Sequence, residues 1–199
     1  MDIGLLLHTR QIIRQEEAAR SFEQLWEDAA QVEQLGFDHI WLGDSVTVLD
    51  KARGDCLTTM AVLAARTSKI RIGAVPILPA LRNPVLLAHA LATLDVISKG
   101  RIILGVSVGP VRDYIQRQFA ACGVPPHEKA GRLGECIEIM RRLWTEKVIN
   151  YDGRYYKLSA RSASCPTRHK SRGYRSGLPP TETRTVLSAW GVWATVGSR

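Results

Sequence analysis

No C-x-x-C pair occurs in the sequence: the four cysteines, Cys56, Cys122, Cys136 and Cys165, stand far apart. That spacing argues against a disulfide framework or a zinc ribbon, and free thiols in a reducing compartment are the expectation. Long apolar runs are missing too. The early run Ile3 to Leu7 is short for a signal-peptide core and has no basic residue before it. Nothing approaches the roughly 18–20 apolar residues that a membrane span needs, so a soluble, cytoplasmic protein with no membrane partner is expected. His39, His89 and His127 have no ligand spacing among them, and a metal site is not expected. No G-x-S-x-G and no Cys–His signature supports covalent hydrolysis.

Acidic residues are scarce only at one end. Residues 1–159 hold 20 Lys and Arg against 18 Asp and Glu, whereas residues 160–199 hold 7 against 1. The net charge of +8 therefore belongs mostly to the last forty positions. The body is nearly neutral with alternating signs, which is no electrostatic footprint for a polyanion; nucleic acid is not an expected partner.

What is present is a repeat of apolar run and helical pattern. Ile3 to Leu7 reads as a strand buried on both faces. Ser21, with Gln24 three residues on, has the form of a capping box opening a helix. Phe22, Leu25, Trp26, Ala29 and Val32 then share one helical face, and Gly36 fits a left-handed stop. Phe37 to Leu42 is a second strand. Asp55 can cap a helix that buries Leu57, Met60, Ala61 and Ala64. Ile70 to Ile77 is a third strand, interrupted by Gly73 and Pro76. Asn83-Pro84 pairs a cap residue with proline at the first helical position, and that helix runs to about Ser98. Arg101 to Val106 is a fourth strand. A loop rich in Gly and Pro leads to an amphipathic helix carrying Leu133, Cys136, Ile137, Met140, Leu143 and Trp144. Asp152-Gly153, between two short β-prone runs, marks a hairpin.

Apolar strands that each precede a helix imply a parallel α/β sheet. Each unit takes about 36 residues, so a closed ring of eight would need on the order of 250 or more, the size of a TIM barrel. The fold class expected here is α/β of TIM-barrel type, incomplete, with about four βα units and a hairpin in residues 1–159. Residues 160–199 are unpatterned and basic, and Trp190 and Trp193 have no supporting period. They read as a disordered tail, or as sequence foreign to the fold, as when a gene is read out of frame after about residue 159. The abrupt break favours the second.

Several runs of residues 1–158 resemble the bacterial-luciferase-like flavin- and deazaflavin-dependent oxidoreductases. They are LGFDHIWLGD from Leu35 to Asp44, AARTSKIRIG from Ala64 to Gly73, and LRNP from Leu81 to Pro84. The series continues with ATLDVISKGR from Ala92 to Arg101, LGV from Leu104 to Val106, Glu135, Leu143-Trp144, and YDGRYY from Tyr151 to Tyr156. The resemblance implies a TIM barrel whose second half, after the hairpin, has no counterpart in 160–199. It also implies reduced FMN with O₂ acting on a small organic substrate. The alternative is hydride transfer through the deazaflavin coenzyme F420, or a non-catalytic fragment of such an enzyme. A flavin reductase and a second copy of the chain in a homodimer are the implied protein partners.

In a parallel barrel the chemistry lies where the strands end. Those positions are Leu7-His8, Gly43-Asp44-Ser45, Val75 to Leu78, and Ser107-Val108-Gly109. The resemblance places cofactor binding at Asp44, Val75, Pro76, Leu78, Ser107, Val108 and Gly109, and assigns no catalytic residue. Asp44 is either a hydrogen-bond acceptor for the cofactor or a loop carboxylate capping nearby amides. Ser45 stands where some members carry a histidine acid or base, and Pro110 where some carry a catalytic Glu. Val75-Pro76 reads either as a cis bulge under the flavin ring or as a trans proline ending a strand. Asp113 is a ligand contact or an exposed acid at a helix start. Arg82 binds phosphate or forms an ion pair that orders its loop.

Overall fold

The structure, a computed structural model, describes residues 2–7, 18–46 and 54–160, and two strands at 184–187 and 192–195. Four parallel strands follow in chain order: β1 (Gly4–Leu7), β2 (His39–Leu42), β3 (Arg71–Ile77) and β4 (Ile102–Ser107). Helices α1 (Ala18–Gln34), α2 (Cys56–Arg66) and α3 (Pro84–Ile97) link them. After β4 come α4 (Asp113–Ala121), α5 (Lys129–Thr145) and the antiparallel pair β5 (Ile149–Asp152) and β6 (Lys157–Ala160). Strands β7 (Arg184–Leu187) and β8 (Val192–Thr195) pair antiparallel, and β8 runs parallel beside β4. The sheet order is β1-β2-β3-β4-β8-β7. Trp193 thus lies in a strand; Trp190 and most of 161–199 lie outside the described residues, as do His8 and Cys165. Cys56, Cys122 and Cys136 are free thiols. Among the described residues, no helix is long and apolar enough to cross a membrane.

Local sequence chemistry sets most boundaries. Asp55 caps α2 by accepting the Thr58 amide at 2.8 Å, and Asn83 caps α3 by accepting the Val85 amide at 2.9 Å. Gly36, at φ +82°, takes the left-handed stop after α1. Three expectations are corrected. Strand β1 is not buried on both faces: Leu5 and Leu6 are exposed and only Leu7 is buried. Ser21 lies inside α1, which is already helical at Ala18, and Gln24 pairs forward with Asp28 at 3.0 Å. The stretch read as a loop after β4 contains α4, whose buried face is Ile115, Gln118 and Phe119.

The core lies on one face of the sheet. Ile40, Leu42, Ile72 and Ala74 point to the helices and are fully buried, against Ala29 of α1, Met60 and Leu63 of α2, and Leu87 of α3. Each large side chain here contributes about 1.5–3 kcal/mol by burial. Truncating Ile72 to Ala would therefore cost about 2–5 kcal/mol, the cavity included. The opposite face is built around Trp41. Its in-register neighbour on β3 is Gly73, and its indole reaches over Gly4 of β1, the register partner of His39. A Cβ at either glycine would run into the indole, so the ring can lie across three strands only because both flanking positions lack one. His39 stacks on Trp41 with centroids 5.7 Å apart.

The amino-terminal end of the sheet is locked by two charged side chains. Glu33, near the end of α1, accepts the amides of Ser68, Lys69 and Ile70 at 2.6–3.1 Å and so closes the turn into β3. Burial alone would raise its carboxyl, but those amides and the Ser68 hydroxyl outweigh it, and its pKa lies below the ordinary value. Arg101, just before β4, donates to the carbonyls of Ala64, Thr67, Ile70 and Ser98 and to the Thr67 hydroxyl at 2.7–3.0 Å. It therefore closes the carboxyl end of α2 onto the start of β3, where orphan carbonyls and the helix dipole favour a cation.

Candidate functional site

Leu42 pairs with Ala74, so Gly43-Asp44 and Val75 to Leu78 leave the sheet side by side. Asp44 is almost fully buried and holds Arg82 bidentately, with oxygen–nitrogen distances of 2.6 and 2.7 Å. The carboxylate also accepts the Leu78 amide at 3.2 Å. Asp55 stands 3.9 Å from the same guanidinium. Burial pulls the Arg82 pKa down, but the hydrogen bond and charge of Asp44 outweigh it and the net shift is upward. The pair is the loop-ordering ion pair, in the fork geometry that makes Arg–carboxylate contacts strong.

The end of β3 is irregular. The Val75-Pro76 bond is cis, and the pairing of β3 with β4 shifts register between Ala74 and Ile77. Val75 lies against Gly105 of β4 on the face away from the helices: a Cβ at Gly105 would stand 3.3 Å from Val75 Cγ2 and 2.9 Å from the Ala74 carbonyl. Val75 is nevertheless 45% exposed, and Pro76 is exposed beside it. A buried 3-10 turn follows at Pro79–Leu81. Leu78, Ala80 and Leu81 bury there against Ile115, Phe119 and Val124, a second apolar cluster that docks α4 on the β3 exit.

At the end of β4, the Ser107 hydroxyl accepts the Gly109 amide at 3.1 Å. Gly109 has φ +78° and leaves room for Ile115 and Leu78, which a Cβ would meet at 3.2 and 3.4 Å. Its carbonyl accepts the Lys129 ammonium at 2.8 Å. Val108 is half-buried against the main core. Asp113 is exposed in the first turn of α4, the helix-start acid.

The seven positions expected from the sequence thus share three adjoining strand exits. Val75, Pro76, Ser107 and Val108 reach the rim. Asp44, Leu78 and Gly109 support it from inside. Sequence reasoning missed Lys129 and Gln118. Gln118 accepts the Val46 amide at 3.0 Å and the Ser45 hydroxyl at 3.2 Å through its side-chain oxygen. The one available signal was a polar residue between Ile115 and Phe119 on the inward spacing of a helix.

A parallel α/β sheet, open toward one face, with a bulged third strand and small residues ending the fourth, defines the architecture of a partial TIM-type barrel. Residues 1–183 match the luciferase-like monooxygenase family, and the chain belongs to it. That match runs past residue 159, where the sequence periodicity stops. Over 139 residues the chain is 34% identical to the F420-dependent glucose-6-phosphate dehydrogenase of Intrasporangium calvum, aligning 67% of this chain with 42% of that protein. The dehydrogenase of the same name from Amycolatopsis mediterranei is also 34% identical, with 67% and 41% covered. The chain spans less than half the length of these relatives. Among solved structures, monooxygenase RslO1 from Streptomyces bottropensis superposes with a TM-score of 0.71 at 28% identity, over 84% of this chain and 52% of that one. The F420-dependent secondary alcohol dehydrogenase in complex with an F420–acetone adduct gives 0.69 at 22% identity, over 85% and 50%, a likeness of fold alone.

Proposed function

We propose that residues 1–159 form the cofactor-facing portion of an FMN-dependent monooxygenase that acts on a small organic substrate with O₂. The observation that carries this is the exposed apolar wedge Val75-Pro76 at the β3 exit, next to the strand that ends at Ser107. An isoalloxazine ring asks for such a pairing: an apolar support under one face and neutral polar groups at its edge. The donor set fits. Val75 and Pro76 would support the ring, Ser107 and Val108 would bound it, and Gly109 would let backbone approach closely. Asp44 and Leu78 would hold the wedge in place through their mutual hydrogen bond and the Arg82 pair. Reduced flavin, when bound, supplies the electrons for oxygen chemistry. The residues of this chain bind and orient the ring and keep water from one of its faces. Delivery of reduced FMN by a flavin reductase fits this reading.

A second reading is favoured by the F420-dependent dehydrogenases at 34% identity: a deazaflavin in the same place, serving hydride transfer. Anaerobic titration separates the two. Micromolar binding of reduced FMN, with weaker binding of F420, supports the first; the reverse order supports the second. Binding of neither overturns both and leaves the chain as a non-catalytic fragment.

A further inference from the structure

We infer that Gln118 is a positioning residue that makes Ser45 a hydrogen-bond acceptor for the imide N–H at the pyrimidine edge of the bound ring. This rests on the flavin or deazaflavin reading and adds the chemistry of one contact. Gln118 is 1% exposed on the inner side of α4. Its side-chain oxygen is fixed by the Val46 amide at 3.0 Å, since an N–H donates only to an acceptor. The Ser45 hydroxyl donates to that same oxygen at 3.2 Å. A hydroxyl has a single proton. With it spent on Gln118, Ser45 offers lone pairs alone. Asp44, the neighbouring carboxylate, is engaged by Arg82 and the Leu78 amide.

The other half of the carboxamide sits at a cost that its oxygen contacts must offset. Among the described residues Gln118 Nε2 is buried without a hydrogen-bond partner. Buried polar atoms are ordinarily satisfied, and an apolar side chain of the same shape would avoid the orphaned donor. The carboxamide oxygen holds both the Val46 amide and the Ser45 hydroxyl, which an apolar side chain could not do. The carboxamide is also uncharged at every pH, so it adds no charge beside the Asp44–Arg82 pair. Asp44 ties this exit to the wedge through the Leu78 amide, and Ser45 follows Asp44 at the same exit.

The test is equilibrium titration of the chain with FMN and with N3-methyl FMN, which lacks the imide proton. Wild type is compared with Ser45→Ala and Gln118→Met, with thermal unfolding of each. Ser45→Ala is expected to weaken FMN about three- to tenfold, one neutral hydrogen bond, while the protein stays folded with a melting temperature lowered by a few degrees at most. Wild type should lose the same factor on N3-methyl FMN, and Ser45→Ala should show no further loss. Gln118→Met should weaken FMN similarly and release the Val46 amide to faster hydrogen exchange; if it fails to fold, Ser45→Ala decides alone. Equal FMN affinity of Ser45→Ala and wild type overturns the inference and leaves the oxidoreductase reading standing. Wild type that binds neither FMN nor F420 removes that reading, and this inference with it.

Discussion

At the amino-terminal end of the parallel sheet, Glu33 and Arg101 bind backbone, each closing a turn by gathering several amides or carbonyls that secondary structure leaves unpaired. At the carboxyl end, Asp44, Arg82, Gln118 and Lys129 bind mainly one another or single loop groups, and the strand exits stay irregular. The first pattern uses charge to finish the fold. The second uses charge, and at Gln118 a neutral carboxamide, to hold loops in conformations that the sheet does not impose. Parallel barrels divide labour the same way, with stability at one end and ligands at the other, because loops that meet a ligand cannot also be fixed by sheet ladders. Substitutions at the two ends should therefore separate stability from binding.

The largest effect is expected at the carboxyl end. Asp44→Ala leaves a largely buried guanidinium with only the more distant Asp55 as counter-charge and should lose about 3 kcal/mol in urea unfolding, together with FMN binding. The double change Asp44→Leu with Arg82→Met should regain most of that stability, because a buried pair is replaceable by apolar groups of similar volume. It should not regain binding, since the Leu78 amide loses its acceptor. Recovery of both would make this end a stability device like the other.

Arg101→Met comes next, at about 2–4 kcal/mol, since several part-buried carbonyls lose their donor at once. FMN affinity of the folded protein should stay at the wild-type value. A weakened affinity in this variant would show that the two ends are coupled.

Glu33→Gln should cost about 1 kcal/mol by the same logic of backbone hydrogen bonds. Its distinguishing mark is pH. The folded carboxyl titrates below its unfolded value, so it contributes stability that is fully present above the unfolded pKa and is lost as pH falls through the folded one. The acid limb of a stability–pH curve should accordingly flatten in the glutamine variant. An unchanged acid limb would detach Glu33 from the turn it closes. The smallest effect belongs to Lys157→Ala. Its 2.6 Å pair with Asp152 is open to solvent on both sides, and the melting temperature should not move.

The sequence foretold the elements whose causes are local. Asp55 and Asn83-Pro84 carry their caps within three residues, and Gly36 carries its own left-handed turn, so these boundaries agree with the structure. Local reasoning failed where a neighbour competes. Ser21 and Gln24 have the spacing of a capping box, but the chain is already helical at Ala18, and Gln24 turns to Asp28 instead. Helix α4 escaped notice because the Gly and Pro residues around Gly105 to Pro110 and Gly123 to Pro126 masked a nine-residue segment between them. The strand exits were foreseeable as places, since a parallel sheet puts its chemistry there, but not as contacts.

Composition, apolar period and capping residues were enough to fix the order of strands and helices through the hairpin, α4 excepted, because each of those signals acts within a turn or two of chain. The company kept by each polar group at the rim was settled only by folding. Asp44 meets Arg82 across 38 positions, and Ser45 meets Gln118 across 73. Those meetings follow from the register of β2 against β3 and from where α4 docks. Nothing in the spacing of the residues along the chain encodes them, because the packing energy that decides them is shared among many distant side chains.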